Sequence, residues 1–369
     1  MASGLFAVMA APYLPRLVME GFPRAKWPAP GSFAALDGEK QALPVGPVGS
    51  LNDWSEELFT GSDGRALLIY RKGTVELAHY ADDVRPEIRL NSYSMVKSLV
   101  GALLLKAIAE GRISSLDDPV GQYLPDVGDA VFRAVPLHAF ATMRSGVGAE
   151  TGVGDPVSPQ ESRSVDRIAS GLFSPIARLH MGGLNAVSGE LSSDPDARGT
   201  YSYQNVNTAV ISGVLSAVYG KPLETILNEK IWAPSGAGKA EWRRYHSDLG
   251  VTAYCCIYAT PSDWLRVGVF LMKNGDQDRP FLPHTLWQTY FGGSISKQAR
   301  HAGRYGMHVF HNVLDRKGQP LQGPFSFMAG TGGQRVYMMP EADLVVVRFG
   351  AKRQLLHSTL YAAWQLIEE

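Results

Sequence analysis

Ser94-Met95-Val96-Lys97 places a hydroxyl and an amine three positions apart at the head of an apolar stretch. Residues three apart on a helix share a face, so a helix beginning at Ser94 sets the two groups side by side. A serine hydroxyl is a weak nucleophile until a base takes its proton. A lysine serves as that base only if its neutral form is accessible near neutral pH, and burial among Val96, Val100 and Leu104 pushes in that direction. A helix N-terminus adds free N–H groups and a dipole that favour developing negative charge. The chemistry implied is attack by an activated serine on an acyl carbon.

The spacing is weak evidence alone. Average usage yields about one Ser-x-x-Lys by chance in a chain of this length. A second copy, Ser294-Ile295-Ser296-Lys297, follows Gly292-Gly293 and leads no apolar helix; it is read as a surface accident. Ser94 differs because two further elements follow it in order. Tyr201-Ser202-Tyr203-Gln204-Asn205-Val206-Asn207 stands just before an apolar helix. There a tyrosine can shuttle a proton if nearby cations lower its pKa, and Asn205 can hold a carbonyl or the lysine. Ala329-Gly330-Thr331-Gly332-Gly333-Gln334 leads directly into a strand. Glycines at a strand edge let a substrate approach the backbone, and N–H groups there can join the Ser94 N–H in holding an oxyanion. Seen singly, these are a packed aromatic in a loop and a hairpin turn.

The elements that must position these residues follow from periodicity. Val96, Leu99, Val100, Leu103, Leu104, Ala107 and Ile108 form a helical stripe over 94–110, capped by Gly111. Two β-rich runs, 66–71 and 75–80, flank Lys72-Gly73 as a hairpin. Helices are expected over 207–219, 222–231 and 262–274. Strands return at 305–312, 334–339 and 344–349, with turns at Lys317-Gly318 and over 340–343, and an amphipathic helix over 353–368 closes the chain. The expected fold class is α+β: one antiparallel sheet built from both ends, flanked by helices, with a helical region inserted between. The expected division is an N-terminal arm over 1–55, a sheet domain from 56–111 and 291–369, and an inserted, mainly helical domain over 112–290. The stretch 148–200 has no readable pattern, and its Asp155 and Glu161 are read as facing water.

Composition excludes other classes. Lys and Arg total 35 and so do Asp and Glu, with no basic run, so no nucleic-acid partner is expected. The two cysteines, Cys255 and Cys256, are adjacent. They cannot staple distant segments and are read as small apolar core residues. No Cys-x-x-Cys or His-Glu-x-x-His spacing occurs, so neither metal nor cofactor is expected. Ser235-Gly-Ala-Gly-Lys239 fails as a phosphate loop because Ala stands at both 233 and 240. There is no Gly-x-Ser-x-Gly, and no histidine stands near a serine motif, which argues against a Ser-His-Asp triad. The apolar start is broken by Pro12 and Pro15 and lacks a leading basic residue; it suits neither a membrane span of ~20 residues nor a secretory signal. No stable membrane span is expected. A cytoplasmic location is preferred, with periplasmic or secreted if a leader has been trimmed.

The ordered set resembles the serine β-lactamase/penicillin-binding-protein superfamily, whose motifs include Ser-x-x-Lys and a Lys-Thr-Gly strand. It is most similar to the esterase-like branch, the class C β-lactamase-related carboxylesterases and nylon-oligomer (aminohexanoate-dimer) hydrolases. The likeness runs from about Ala66 to the C-terminus, supported at 91–98, 110–118, 143–147 and 259–264. It implies a β-lactamase/transpeptidase-like fold and an acyl-enzyme hydrolase of small esters or linear amides. Ser94 is then the nucleophile, Lys97 its base and Tyr203 the proton relay. Asn205 matches the Asn of Tyr-x-Asn, a position often Ser in the nylon-hydrolase branch. Thr331 supplies the second oxyanion N–H, flanked by Gly330 and Gly332.

One departure stands out. The Lys-Thr-Gly lysine is missing; Met328-Ala329-Gly330 or Gly330-Thr331-Gly332 takes its place. That removes a charge-assisted contact to a substrate carboxylate worth roughly 1.5–3 kcal/mol. It disfavours a dedicated D,D-peptidase or an efficient β-lactamase, although Arg335, one strand residue away, offers a substitute charge. The alternatives are those two activities or a non-catalytic binding or sensor domain on the same fold. Intact Ser94, Lys97 and Tyr203 argue against the last. Oligomeric state is left open, a homodimer included.

Overall fold

The computed structural model describes residues 33–147 and 175–351, apart from 48, 246–249, 276–277 and 316–320, together with 357, 359 and 360. The expected helix over 353–368, the Lys317-Gly318 turn, Asp155 and Glu161, and the arm before residue 33 lie outside the described residues, save for the few named.

Two antiparallel sheets carry the strands, where the sequence suggested one. The strands are β1 (Phe33–Leu36), β2 (Gly64–Arg71), β3 (Thr74–Tyr80), β4 (Leu90–Asn91), β5 (Ala240–Arg243) and β6 (Ile257–Ala259), then β7 (Arg304–Gly306), β8 (Val309–Leu314), β9 (Gly323–Gly330), β10 (Gln334–Met339) and β11 (Leu344–Gly350). The larger sheet has seven strands in the order β3-β2-β11-β10-β9-β8-β7. Its first two come from early in the chain and the other five from late, and they meet where Leu344 pairs with Arg71 and Phe349 with Ala66. The second sheet, β1-β5-β6-β4, has four strands of two to four residues each. Strands so short carry too few residues to display a period of two, which is why they do not register as pattern.

The large sheet is covered on both faces. Leu68, Tyr70, Met328, Val336, Val345 and Val347 belong to one buried cluster, and Leu67, Ile69, Phe325, Phe327, Tyr337 and Val346 to another. The alternation along β2, β10 and β11 is the pleat, and burial of both faces explains their nearly continuous apolar runs. The longer helices are α1 (Asp53–Gly61), α2 (Val96–Ala109), α3 (Asn205–Tyr219) and α4 (Pro261–Met272). α3 ends at Gly220, left-handed at φ 63°, as its position predicts. α4 opens on a capping box between Thr260 and Asp263, with Pro261 in the first turn. The expected 222–231 helix is shorter, Leu223–Leu227, and continues as a π turn over Asn228–Trp232. No helix among the described residues is long and apolar enough to cross a membrane.

α2 is buried on every side, not along one stripe: Ala102 and Leu105 are as inaccessible as Leu103 and Leu104. It packs beneath the sheet and against α3. At Gly101 a Cβ would stand 1.9 Å from the carbonyl oxygen of Met307, so only glycine allows that approach. Met307 and His308 both have positive φ, 50° and 58°. They break the expected 305–312 strand into β7 and β8. Two non-glycine residues in the left-handed region carry no turn signature, so the break was not legible.

The cysteines correct a sequence expectation. Cys255 and Cys256 are bonded to each other, with an S–S length of 2.03 Å and Cα atoms 3.7 Å apart. Adjacency rules out a long-range staple, as expected, but it does not prevent a bond between neighbours, so they are not two free core thiols.

Two buried histidines and a half-buried third give the fold an acid weakness. Burial holds His308 and His311 down to about 3, with the charges of Lys97 and Arg300 adding to it, and holds His357 down to about 4, helped by Arg335. In the unfolded chain these rings bind protons near pH 6.5. Between the two ranges the unfolded state binds more protons, so stability present above about pH 6.5 is lost as pH falls towards 4. Three such groups amount to about 4 kcal/mol per pH unit at most. Urea unfolding at pH 7, 6, 5 and 4.5 is expected to show a midpoint that drops at each step; a flat midpoint would contradict this account.

Candidate active site

Ser94 sits on a turn held by hydrogen bonds on both sides. β4 ends at Asn91, whose side-chain oxygen accepts the Tyr93 N–H at 2.9 Å. Ser92 donates its N–H to the Ile257 carbonyl at 2.9 Å, and its hydroxyl accepts the Ile257 N–H at 3.0 Å. Tyr93 is thereby kept at φ 47°, in the left-handed region, a conformation costing of order 1–3 kcal/mol. A single 3-10 turn, Tyr93–Met95, then leads into α2 at Val96. The helix proper thus starts two residues later than expected, and Ser94 lies in the turn that feeds it.

The turn leaves Ser94 half-buried while Lys97 is only 1% exposed. Lys97 Nζ lies 2.9 Å from Ser94 Oγ and donates to the carbonyl of Tyr254, also at 2.9 Å. The rings of Tyr203 and Tyr254 stand 4.9 and 5.6 Å from that nitrogen, centroid to Nζ.

Tyr203 precedes α3 and is buried against Tyr305 and Phe310, with ring centroids 5.8 and 6.4 Å away. Asn205 is the first residue of α3 and is 9% exposed. The segment is anchored to the 143–145 loop: Ser202 donates its N–H to the Met143 carbonyl at 2.8 Å, and the Ser145 hydroxyl donates to Asn207 Oδ1 at 2.6 Å. Gly330, at the end of β9, lies against the Ser94 turn, where a Cβ would meet the Ser92 carbonyl oxygen at 2.3 Å. Thr331 follows and is exposed. Gly332, at φ 80°, lies over the Gly350 carbonyl instead. So Ser94, Lys97, Tyr203 and Gly330 converge, while Gly332 shapes the turn into β10. Arg335 donates to the carbonyls of Gly330 and Gln334, and its guanidinium lies over Phe327.

Two neighbours escaped sequence reasoning. Tyr254 acts on Lys97 through a main-chain carbonyl, for which no residue type is a signal. His308 is 1% exposed, accepts the Ser98 hydroxyl on its carbonyl at 2.7 Å, and brings Nδ1 to 3.3 Å from the Tyr305 hydroxyl. Burial, aided by Lys97, keeps its imidazole neutral at physiological pH, and burial raises the Tyr305 phenol well above its usual range. The second Ser-x-x-Lys lies elsewhere: Lys297 pairs with Asp315 at 2.6 Å with its side chain 64% exposed, and Ser296 caps a short helix. Among the described residues no group of His, Cys, Asp or Glu is placed to hold a metal ion.

Fold and site together define a serine hydrolase of the β-lactamase/transpeptidase-like architecture. The chain belongs to the β-lactamase family, whose model matches residues 55–367. Among solved structures it is similar to a Bacillus anthracis protein described as a 6-aminohexanoate-dimer hydrolase, at 16% identity and TM-score 0.70, covering 91% of this chain and 89% of that one. It is also similar to a D-stereospecific amidohydrolase from Streptomyces sp. (16% identity, TM-score 0.60, 84% and 96% coverage). A third is EstCE1, a hydrolase with promiscuous acyltransferase activity (16%, TM-score 0.57, 85% and 98%). No curated protein sequence matches the chain.

The Gly330 contact gives a test of how the site is held. Gly330→Ala is expected to push the end of β9 off the Ser94 turn, at a cost of about 1–3 kcal/mol of stability. Labelling of Ser94 by a serine-reactive phosphonate should slow in the folded variant. Unchanged labelling with unchanged urea stability would show that the strand end does not press on the turn.

Proposed function

We propose that the protein hydrolyses small esters or linear amides through an acyl-enzyme on Ser94. The observation that carries this reading is the buried Lys97 Nζ, 2.9 Å from Ser94 Oγ. Neutral Lys97, with Tyr203, takes the Ser94 proton as Oγ attacks the carbonyl carbon. The Ser94 and Thr331 N–H groups hold the oxyanion, beside the strand end that Gly330 lets approach. The leaving alcohol or amine collects its proton through Tyr203. Water then attacks the ester by the reverse path, its proton passing to the same pair. Asn205, at the head of α3, is assigned to the substrate's acyl portion.

Two features favour esters and linear amides over β-lactams and D,D-peptides. The strand lysine that would grip a carboxylate is absent. Arg335, the nearest substitute charge, is engaged by the Gly330 and Gln334 carbonyls. The structural neighbours from Bacillus anthracis and Streptomyces are described as a 6-aminohexanoate-dimer hydrolase and a D-stereospecific amidohydrolase, which supports including linear amides.

The test is turnover of a p-nitrophenyl ester, an aminohexanoate dimer and a chromogenic cephalosporin side by side, with Ser94→Ala as control. The ester or the dimer is expected to be turned over with much the highest kcat/KM. Ser94→Ala is expected to lose at least about a thousandfold. Full activity in that variant would overturn the mechanism, and preference for the cephalosporin would overturn the substrate class.

A further inference from the structure

The Cys255–Cys256 bond sits where one short turn touches both partners of the Ser94–Lys97 pair. On one side of it, the Tyr254 carbonyl accepts from Lys97 Nζ at 2.9 Å. On the other, Cys256 donates its own N–H to the carbonyl of Tyr93, the residue before Ser94, at 3.2 Å. Between them the Cys255 carbonyl accepts from Trp242 Nε1 at 3.0 Å and Thr252 Oγ1 at 2.9 Å. Cys256 stands at φ 78°, a region that suits glycine and that other residues enter rarely. Cys256 is buried and Cys255 half-buried. A bond between adjacent cysteines closes a small ring through their shared peptide unit. It therefore restrains the backbone at the two residues that follow the Tyr254 carbonyl.

We infer that the Cys255–Cys256 disulfide is a redox-sensitive positioning site: closed, it holds the 254–256 turn in the form that orients Lys97 and the Ser94 turn, and opened by a dithiol it lets both contacts slacken. The inference rests on the proposed roles of Ser94 and Lys97. Opening is ordinary thiol–disulfide exchange. A dithiol thiolate attacks the sulfur of the more accessible Cys255. The Cys255–Cys256 bond breaks, its electron pair leaves on Cys256 Sγ, and that sulfur is protonated. The dithiol's second thiolate then displaces Cys255 Sγ, which is protonated in turn. Two electrons pass to the protein, two cysteine thiols form, and the dithiol leaves as its own disulfide. Without the bond Cys256 is held at positive φ by hydrogen bonds alone, its N–H to Tyr93 and the Arg243 N–H to its carbonyl at 3.0 Å among them, so the N–H that meets Tyr93 and the carbonyl that meets Lys97 lose their covalent common anchor.

The experiment compares the full chain before and after dithiothreitol, with the thiol count fixed by alkylation and mass analysis. Two rates are read: phosphonate labelling of Ser94, mapped by peptide mass, and steady-state hydrolysis of a p-nitrophenyl ester. Reduction is expected to slow both by about tenfold or more, in kcat with KM little changed, as for a misplaced catalytic group. Reoxidation should restore them. Cys255→Ser/Cys256→Ser should be slow from the start and indifferent to dithiol. Cys255→Ala/Cys256→Gly, in which glycine accepts φ 78° without a bond, should recover part of the loss and also ignore dithiol. Circular dichroism checks that each remains folded, and the dithiol series on the native chain stands even if the variants do not fold. Equal rates in the oxidised and reduced chain, with Ser94 labelled in both, would sink this inference alone. It fails equally if dithiol slows the double-serine variant as much as the native chain. Failure to label Ser94 in either state would take down the proposed function and this inference with it.

Discussion

A lysine amine held out of water must have its hydrogens and its lone pair accounted for by the protein. Among the groups that meet that demand for Lys97 are one main-chain carbonyl and one serine hydroxyl, and much of the surrounding structure is arranged to keep those two atoms in place. The carbonyl belongs to the 254–256 turn beside β6. The hydroxyl belongs to a turn stitched to β6 by Ser92 and to its own strand by Asn91. These two partners of the amine are therefore referred to the small four-stranded sheet, while the lysine itself rides on the buried helix α2. Relative placement of helix and small sheet decides whether amine and hydroxyl meet.

The large sheet supplies the opposite wall. The end of β9 arrives at the Ser94 turn through Gly330, and the β7–β8 turn arrives at α2 through Gly101. Both approaches are backbone against backbone, so neither can be adjusted by a side-chain rotamer. Tyr203 enters from a third direction, seated among Tyr305 and Phe310 and moored to the 143–145 loop. These aromatic contacts help to place the Tyr203 ring over the amine.

What could be read in advance was what side-chain type and period encode. The Ser94–Lys97 spacing, the apolar run of α2, the Gly220 cap, the Pro261 helix start and strands β2, β3, β10 and β11 were legible, because each depends on local preference or burial over several residues; β9 was not expected as a strand. The small sheet was not, since strands of two to four residues show no period. Nor were the turns at Tyr93 and at Met307-His308, which put bulky residues where glycine or asparagine would be the usual signal. Tyr254 was invisible because its contribution to Lys97 is a peptide carbonyl that any residue possesses. The cysteine pair is visible in the sequence, but cysteine spacing reports on loops closed by distant cysteines and carries no signal for a bond between neighbours.

The pairing of β2 with β11 has a consequence for how the molecule is made. Residues 64–71 find their second partner strand only at 344–350, so the seam joining the early and late strands of the large sheet cannot close until β11 has left the ribosome. At elongation rates of about 5–20 residues per second, the β2–β3 hairpin waits on the order of fifteen seconds or more with one edge unpaired. An open edge of that kind invites pairing with another chain. The Ser94 turn and α2 are synthesised soon after the hairpin, yet β9 and the β7–β8 turn, which press on them, belong to the late half. A nascent chain therefore carries the serine and the lysine for most of its synthesis without the walls that make them a site.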